Sequence, residues 1–380
     1  MVGFVAGCLK EEGYAPVLAH YEPYSVSPRM SVPTFKLFQR GIGTQQRTAM
    51  EACETHAVGA WLPELEFTHY LATRPWQRLM ASCEHHVVVS GSALAATPFV
   101  QAGRPFLAWV ASGWEDDRKD RVAAFAWPRR LLDKTVNGPV LRGLERRILR
   151  QGHILALSAA TRRTLDARAG YAVTQAVLPM PVDTELFRPR TEAVVPWRVG
   201  FSGRLADPRK NVGLLLEAAA CLAAAGRDIT VDLIGADPSP ALQARVVRCG
   251  LADRVRFIPY LPKAGLARHL STLDVFVVPS HQEGLCIAAL EAMACGCPVV
   301  ATRCGGPEDF VADDVTGWLV GFTPSDMAAG IARCLGEPAT RQRLGRQARQ
   351  LVEQRYHRGA AAAQFWHHFR RAFGMASTRA

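Results

Sequence analysis

Two carboxylates, Glu283 and Glu291, stand eight residues apart in the stretch HQEGLCIAALEAMACGCPVV. The segment between them is apolar, has no proline or β-branched pair to stop a helix, and is closed by Gly296 and Pro298. On a helix, eight residues rise about 12 Å and turn about 80° beyond two full circles. The spacing therefore predicts Glu283 at a helix mouth and Glu291 two turns down on a neighbouring face. A helix mouth, with its free N–H groups and partial positive charge, suits a phosphate. A ligand with phosphates at that mouth and hydroxyls toward both carboxylates has the layout of a nucleotide-sugar: sugar, diphosphate, ribose. The plain alternative is two surface glutamates on an ordinary helix. Upstream, Arg204 and Lys210 lie six residues apart across a turn. One offers a fork of donors and the other a compact charge, which suits them to two phosphates of one diphosphate.

The elements that must position these groups follow from the pattern around them. DVFVVP (274–279) and PVVAT (298–302) read as buried strands on either side of the carboxylate helix. Trp197–Ser202 reads as a strand running into Gly203-Arg204, Leu214–Ala225 as a helix, and Thr230–Ile234 as the next strand. In the N-terminal half, Val2–Gly13 reads as a helix. Strands are expected at Pro16–His20, His86–Val89, Phe106–Val110 and Ile154–Ser158, the last leading into a helix over Ala159–Ala169. Such alternation implies parallel sheets whose ligands sit at the carboxyl ends of the strands. That marks Ala111–Asp117 as a cleft-facing loop, with Gly113, Trp114 and Glu115 on the acceptor side. Glu115, Asp116 and Asp117 could act on an acceptor there or simply be solvated.

A chain of 380 residues, about half of them hydrophobic, is large enough for two globular domains. Forty-five basic against thirty-four acidic residues give +11, which favours anionic partners: nucleotides, phosphates or acidic membrane surfaces. No basic-then-apolar leader opens the sequence, and no apolar run reaches the roughly 18 residues of a membrane span. The ten cysteines are scattered without C-x₂-C pairs, which favours structural thiols in a reducing, cytoplasmic setting over a metal site. In Val140–Arg150, Val140, Leu144 and Ile148 share one face and Arg142, Arg146 and Arg150 another. That helix could dock on anionic lipid at the inner face of a membrane, or be buried on one side with its arginines in water. A dinucleotide oxidoreductase is excluded for want of a G-x-G-x-x-G turn after a strand.

The segment PSHQEGLCIAALEAMACGCPVVATRCGGPEDFV, with VGFSGRLADPRKNVGLLLEAA and PVDTELFRP before it and TGWLV after it, resembles glycosyltransferase family 4, a retaining family with an E-x₇-E donor-site motif. The resemblance runs strongly from about residue 154 to 356 and weakly before that. It implies a GT-B fold: two Rossmann-like parallel-sheet domains facing across a cleft. Their expected bounds are 1–180 for the acceptor-side domain, 181–193 for a proline-rich linker, 194–356 for the donor domain and 357–380 for a crossover helix. It also implies transfer of a sugar from a UDP-, GDP- or ADP-sugar to a glycan or lipid-linked acceptor, as in polysaccharide biosynthesis. By the same resemblance Glu283, Arg204 and Lys210 are catalytic, and Gly284, Leu285, Cys286 and Glu291 bind donor. Pro259 and Tyr260 fall where the family places the nucleotide base. No cofactor, no divalent metal and no nucleic-acid partner is expected, and no D-x-D motif lies near the site. Glu308, after Gly305-Gly306-Pro307, is either a site residue or a structural acid at a helix start. The alternative function is a nucleotide-sugar-binding homologue, catalytically impaired, acting as a regulatory or scaffold subunit.

One departure from the family stands at the N-terminus. Such a domain normally opens with a buried strand and a glycine-rich loop before its first helix, whereas Met1 here is followed at once by VGFVAGCL. A central strand is therefore expected to be missing, leaving neighbouring backbone groups unpaired. Two expectations follow: a start upstream of Met1, or a copy with impaired acceptor handling.

Overall fold

The computed structural model describes residues 1–34, 41–63, 65–116, 118, 122, 126–189 and 197–375. Asp117 and residues 190–193 of the expected linker lie outside these. The chain divides into two compact units. The first comprises Met1–Leu157, Thr161–Leu178 and Ala362–Ala380; the second comprises Ser158–Ala160 and Pro179–Ala361.

The first unit holds two sheets. Strands β4 (Val87–Ser90), β5 (Leu107–Val110), β6 (His153–Ala156) and β7 (Thr174–Val177) pair in parallel in that order. The central strands β5 and β6 are buried on both faces, as parallel strands covered by helices must be; Leu107, Ala108, Ile154 and Leu155 are fully inaccessible. Strand β1 (Val17–Tyr21) instead pairs in parallel with β3 (Cys53–Val58), which pairs antiparallel with β2 (Thr44–Met50). This β2–β3 pair has no counterpart among the expected strands. Strand β2, TQQRTAM, is exposed at all but one position, so it has no hydrophobic alternation to read.

The helix Val2–Glu11 forms as expected and ends where Gly13 takes φ +82°. It buries Phe4, Val5, Ala6 and Cys8. Phe4 packs edge-on to Trp109 and to Phe365 of the helix Arg358–Ala372. The last helix thus belongs with the first unit from Ala362 onward.

Strands β1 and β4 are the ends of their respective sheets, and among the described residues no strand joins them. Between them lies a cavity of about 570 Å³, lined by Pro16–His20 on one side and by Val87 and Val89 on the other. Val2, Val5, Ala6 and Leu9 of the first helix also line it.

The helix Gly138–Gln151 buries Leu141, Glu145, Ile148 and Leu149, while Val140 is exposed. Its inner face is therefore turned by one residue from the expected Val140–Leu144–Ile148 stripe, and its arginines face water.

The second unit is one six-stranded parallel sheet in the order β10-β9-β8-β11-β12-β13. The strands are β8 (Arg198–Ser202), β9 (Thr230–Ile234), β10 (Val255–Ile258), β11 (Val275–Val278), β12 (Val299–Thr302) and β13 (Gly317–Val320). Val199, Val231, Leu233, Val275, Val277 and Val300 pack with the alanine- and leucine-rich helix Val212–Ala224. Asp232, between Val231 and Leu233 on β9, points to the opposite face of the sheet. Asp232 is fully inaccessible and is held by Arg198 at 2.8 Å, Arg256 at 2.7 Å and His269 at 2.9 Å. Burial opposes its ionisation, but the bonds from His269, Arg256 and Arg198 outweigh it and hold the carboxyl at about 2.

Residues 181–189, expected as linker, are packed on this second unit. The Val182 amide donates to the Tyr356 carbonyl at 2.8 Å, and Phe187 is buried. Arg349 donates to the Thr184 carbonyl at 3.0 Å and also to that of Phe187. The prolines break regular structure there, as expected, without making the segment free.

Candidate functional site

In the second unit the chain runs β8, β9, β10 outward on one side, then returns to place β11 on the other side of β8. The order reverses between β8 and β11, and the crevice outside the carboxyl ends of strands at such a reversal is where open α/β sheets bind ligands. The loop after β8 carries Gly203, Arg204 and Lys210. The loop after β11 carries Ser280, Glu283 and Gly284. Arg204, Lys210, Glu283 and Gly284 thus lie on the two loops that flank this reversal.

Their contacts are specific. Lys210 Nζ donates to Glu283 Oε1 at 2.7 Å, and Ser280 Oγ donates to the same oxygen at 2.6 Å. The two loops are also joined through backbone, the His281 amide donating to the Arg209 carbonyl at 2.8 Å. Thr302, at the end of β12, donates to the Ser280 carbonyl at 2.5 Å and steadies the loop from the far side. Arg204 is mostly exposed and lies 2.9 Å from Asp207. Asp207 also pairs with Arg209 at 3.0 Å and accepts the Arg209 amide at 3.0 Å. Against a burial penalty, Arg209 and then Arg204 keep this carboxyl below the usual range.

The geometry around Glu283 differs from the helical expectation. The helix begins only at Ile287, after Cys286 has taken a left-handed conformation with φ 69°. Glu283 lies in the loop before it, with its backbone held by the turn after β12: its amide donates to the Cys304 carbonyl at 2.7 Å and its carbonyl accepts from the Gly306 amide at 2.9 Å. Only Glu291 is on the helix Ile287–Ala294. A continuous two-turn separation of the carboxylates is therefore corrected. Gly284 and the left-handed Cys286 interrupt the helix that the apolar run alone predicted. The Cys286 side chain makes no capping bond to the helix start, and a left-handed non-glycine residue costs of order 1–3 kcal/mol.

Glycines allow the loops to approach. A Cβ on Gly306 would lie 2.5 Å from Leu285 Cα, and one on Gly235, after β9, would lie 2.2 Å from the Gly203 carbonyl oxygen. Both turns must pass backbone against backbone. Glu308 accepts the Gly305 amide at 3.0 Å, which supports its structural reading at the start of the turn Gly306–Asp309.

Glu291 is half-buried, and burial pushes its carboxyl up to about 7, with Lys263 opposing the shift. A carboxyl in that range both accepts and donates hydrogen bonds near neutral pH. Pro259 and Tyr260 follow β10 and are exposed, Tyr260 to 82%. Leu285 is buried in the loop.

In the first unit, Gly113, Trp114 and Glu115 do follow β5 at its carboxyl end. Trp114 is buried and its amide donates to Glu145 Oε1 at 2.9 Å. Glu115 pairs with Arg168 at 2.6 Å and with Arg142 at 3.3 Å. Among the described residues, no three His, Cys, Asp or Glu side chains are grouped so as to hold a metal ion. All ten cysteines are free thiols. No helix among these residues is long and apolar enough to cross a membrane.

Two site features were not singled out from the sequence. Ser280 lay inside the quoted PSHQEG run, but its role as a third partner of Glu283 needed the fold of the loop. Asp207, in RLADPRK, carried a usable signal: an aspartate followed by proline is a common start to a turn.

Residues 196–337 match the family model described as Glycosyl transferases group 1. Over 179 residues the chain is 40% identical to a D-inositol 3-phosphate glycosyltransferase of Geodermatophilus obscurus, covering 42% of this chain and 40% of that protein. Over 271 residues it is 33% identical to an MMP alpha-(1->4)-mannosyltransferase of Mycolicibacterium hassiacum, covering 69% and 64%. The chain spans less than two thirds of the length of either relative. Among solved structures it resembles sucrose-phosphate synthase from Thermosynechococcus elongatus, with TM-score 0.71 and 21% identity over 97% of this chain and 91% of that one. It also resembles Anabaena HepE in complex with UDP and glucose, with TM-score 0.65 and 18% identity over 83% and 86%. The fold is GT-B, with two Rossmann-like parallel-sheet units. Residues 196–337 are thus similar to group 1 glycosyl transferases.

Proposed function

We propose that this protein transfers a sugar from a nucleotide-diphosphate sugar to a glycan or lipid-linked acceptor, with retention at the anomeric carbon. The observation that carries the reading is the Lys210–Glu283 pair, 2.7 Å apart where the strand order reverses. Names of the relatives and the UDP and glucose in HepE support it. The retaining outcome rests on the E-x₇-E resemblance.

Leaving-group departure puts negative charge on the diphosphate. Arg204, mostly exposed, offers a bidentate fork, and Lys210 a second cation, so two positive charges meet the developing charge. Glu283 has one oxygen occupied by Lys210 and Ser280 and another able to accept sugar hydroxyls. Glu291, titrating near neutrality, is assigned to the ribose. Gly284, Leu285 and Cys286 supply backbone beside the diphosphate, and Pro259 and Tyr260 face the base. Gly113, Trp114 and Glu115 are assigned to the acceptor side. The cationic pair supplies the charge that a divalent ion would otherwise bring, so no metal is required.

Titration calorimetry with UDP, GDP and ADP tests the site. One nucleotide binds the wild type, and Lys210→Ala weakens that binding by at least about tenfold, as loss of a charge-assisted contact does. Equal binding by both proteins would remove the pair from the donor site.

A further inference from the structure

The helix Trp127–Leu132, sequence WPRRLL, buries none of its residues. Trp127 is 73% exposed, Leu131 55% and Leu132 37%. Trp127 and Leu131 are four apart, so they share a face, and Leu132 adjoins it. Large apolar side chains grouped in this way on a soluble surface mark a contact site.

The exposure is built in. Immediately after the helix, Asp133 is buried and receives both ends of the Arg118 guanidinium, one of them at 2.7 Å. Arg118 in turn donates to Glu66 at 2.7 Å. This carboxylate–guanidinium–carboxylate chain, with Arg118 and Asp133 buried, pins the end of the helix at Asp133.

Among the described residues from 127 to 151, the exposed charges have one sign. Arg129, Arg130 and Lys134 are exposed beside it, and Arg146, Arg147 and Arg150 are exposed on the following helix Gly138–Gln151. The acids between residues 127 and 151 are Asp133 and Glu145, and both are buried.

We infer that Trp127–Leu132 is an interfacial anchor that lays Trp127, Leu131 and Leu132 into an anionic lipid bilayer while the arginines meet its head groups. Tryptophan and leucine flanked by basic residues suit the boundary between acyl chains and head groups. Each cation adds attraction to an anionic leaflet, within a Debye length of the surface. A second copy of this chain is a poor occupant, since two such faces would set like charges against each other. The inference is independent of the sugar-transfer reading.

The experiment is co-sedimentation of the full chain with phosphatidylcholine vesicles, with and without phosphatidylglycerol. Wild type is expected to partition onto the anionic vesicles and less so at high salt. The triple variant Trp127→Ala, Leu131→Ala, Leu132→Ala should lose that partitioning by about tenfold or more, since it removes the apolar area that enters the interface. Arg129→Ala with Arg130→Ala should weaken it and flatten its salt dependence. Unchanged circular dichroism and Tm are expected in both variants, because the residues are exposed. Wild type that ignores phosphatidylglycerol, or a folded triple variant that binds as wild type does, overturns the inference. So does a wild-type dimer that the triple variant loses while vesicle binding stays the same.

Discussion

Lys210 and Glu283 form an ion pair at 2.7 Å across two loops that the chain reaches 73 residues apart. Both side chains are largely withdrawn from solvent, at 19% and 9% exposure, whereas Arg204 is at 72%. This separates two variants that would otherwise look alike. Arg204→Ala and Lys210→Ala should each lower kcat by about two orders of magnitude, as loss of a charge-stabilising donor does. Only Lys210→Ala should also lower Tm, because it leaves a buried carboxylate with a neutral partner. Steady-state kinetics with thermal melts will show it; equal Tm losses would mean that the pair is not formed in solution.

The carboxylates divide by role. Glu283→Gln should cut kcat more than it raises the donor KM, because it faces the reacting sugar. Glu291→Gln should mainly raise the donor KM, because ribose is held alike in ground and transition states. The opposite pattern in a kinetic comparison would show that the donor runs the other way through the site.

Glu291 also makes stability depend on pH. Its carboxyl is raised from 4.5 to about 7, so the folded state holds the proton more tightly than the unfolded chain does. Stability from this group is present below about 4.5 and is lost as pH rises through about 7. Glu291→Gln should therefore raise Tm relative to wild type at pH 8 and change it little at pH 4. A variant with the same offset at both values would remove burial as the cause.

How much of this was legible in the residues varies by place. The strands DVFVV and VVAT and the helix Ala159–Ala169 were readable because they are buried on both faces or strongly bounded. Arg204, Lys210 and Glu283 were expected around one donor, but the Lys210–Glu283 contact was not; the reversal of strand order is what brings their loops together. The helix start was misplaced because Cys286 in a left-handed conformation has no sequence signature, unlike a glycine. β2 was invisible because its residues are polar and exposed. The packing of Val182 and Phe187 on the second unit was masked by prolines that read as an interdomain linker.

The gap between β1 and β4 makes a prediction of its own. Edge amides in Val17–Tyr21 and Val87–Ser90 that have no ladder partner should exchange with solvent faster than those in β5 and β6, which are paired on both sides. Hydrogen–deuterium exchange by mass spectrometry resolves these segments. Protection equal to that of β5 would mean that the two edges are covered in solution.

The most direct measurement of the central claim is nucleotide release from UDP-, GDP- and ADP-sugars, with water and with candidate glycan and lipid-linked acceptors, in the presence of EDTA. The account predicts turnover with one donor class, unaffected by EDTA, a product with the donor's anomeric configuration, and about a hundredfold loss in Lys210→Ala. Release that requires an added divalent metal, or that proceeds at the wild-type rate in Lys210→Ala, would contradict it.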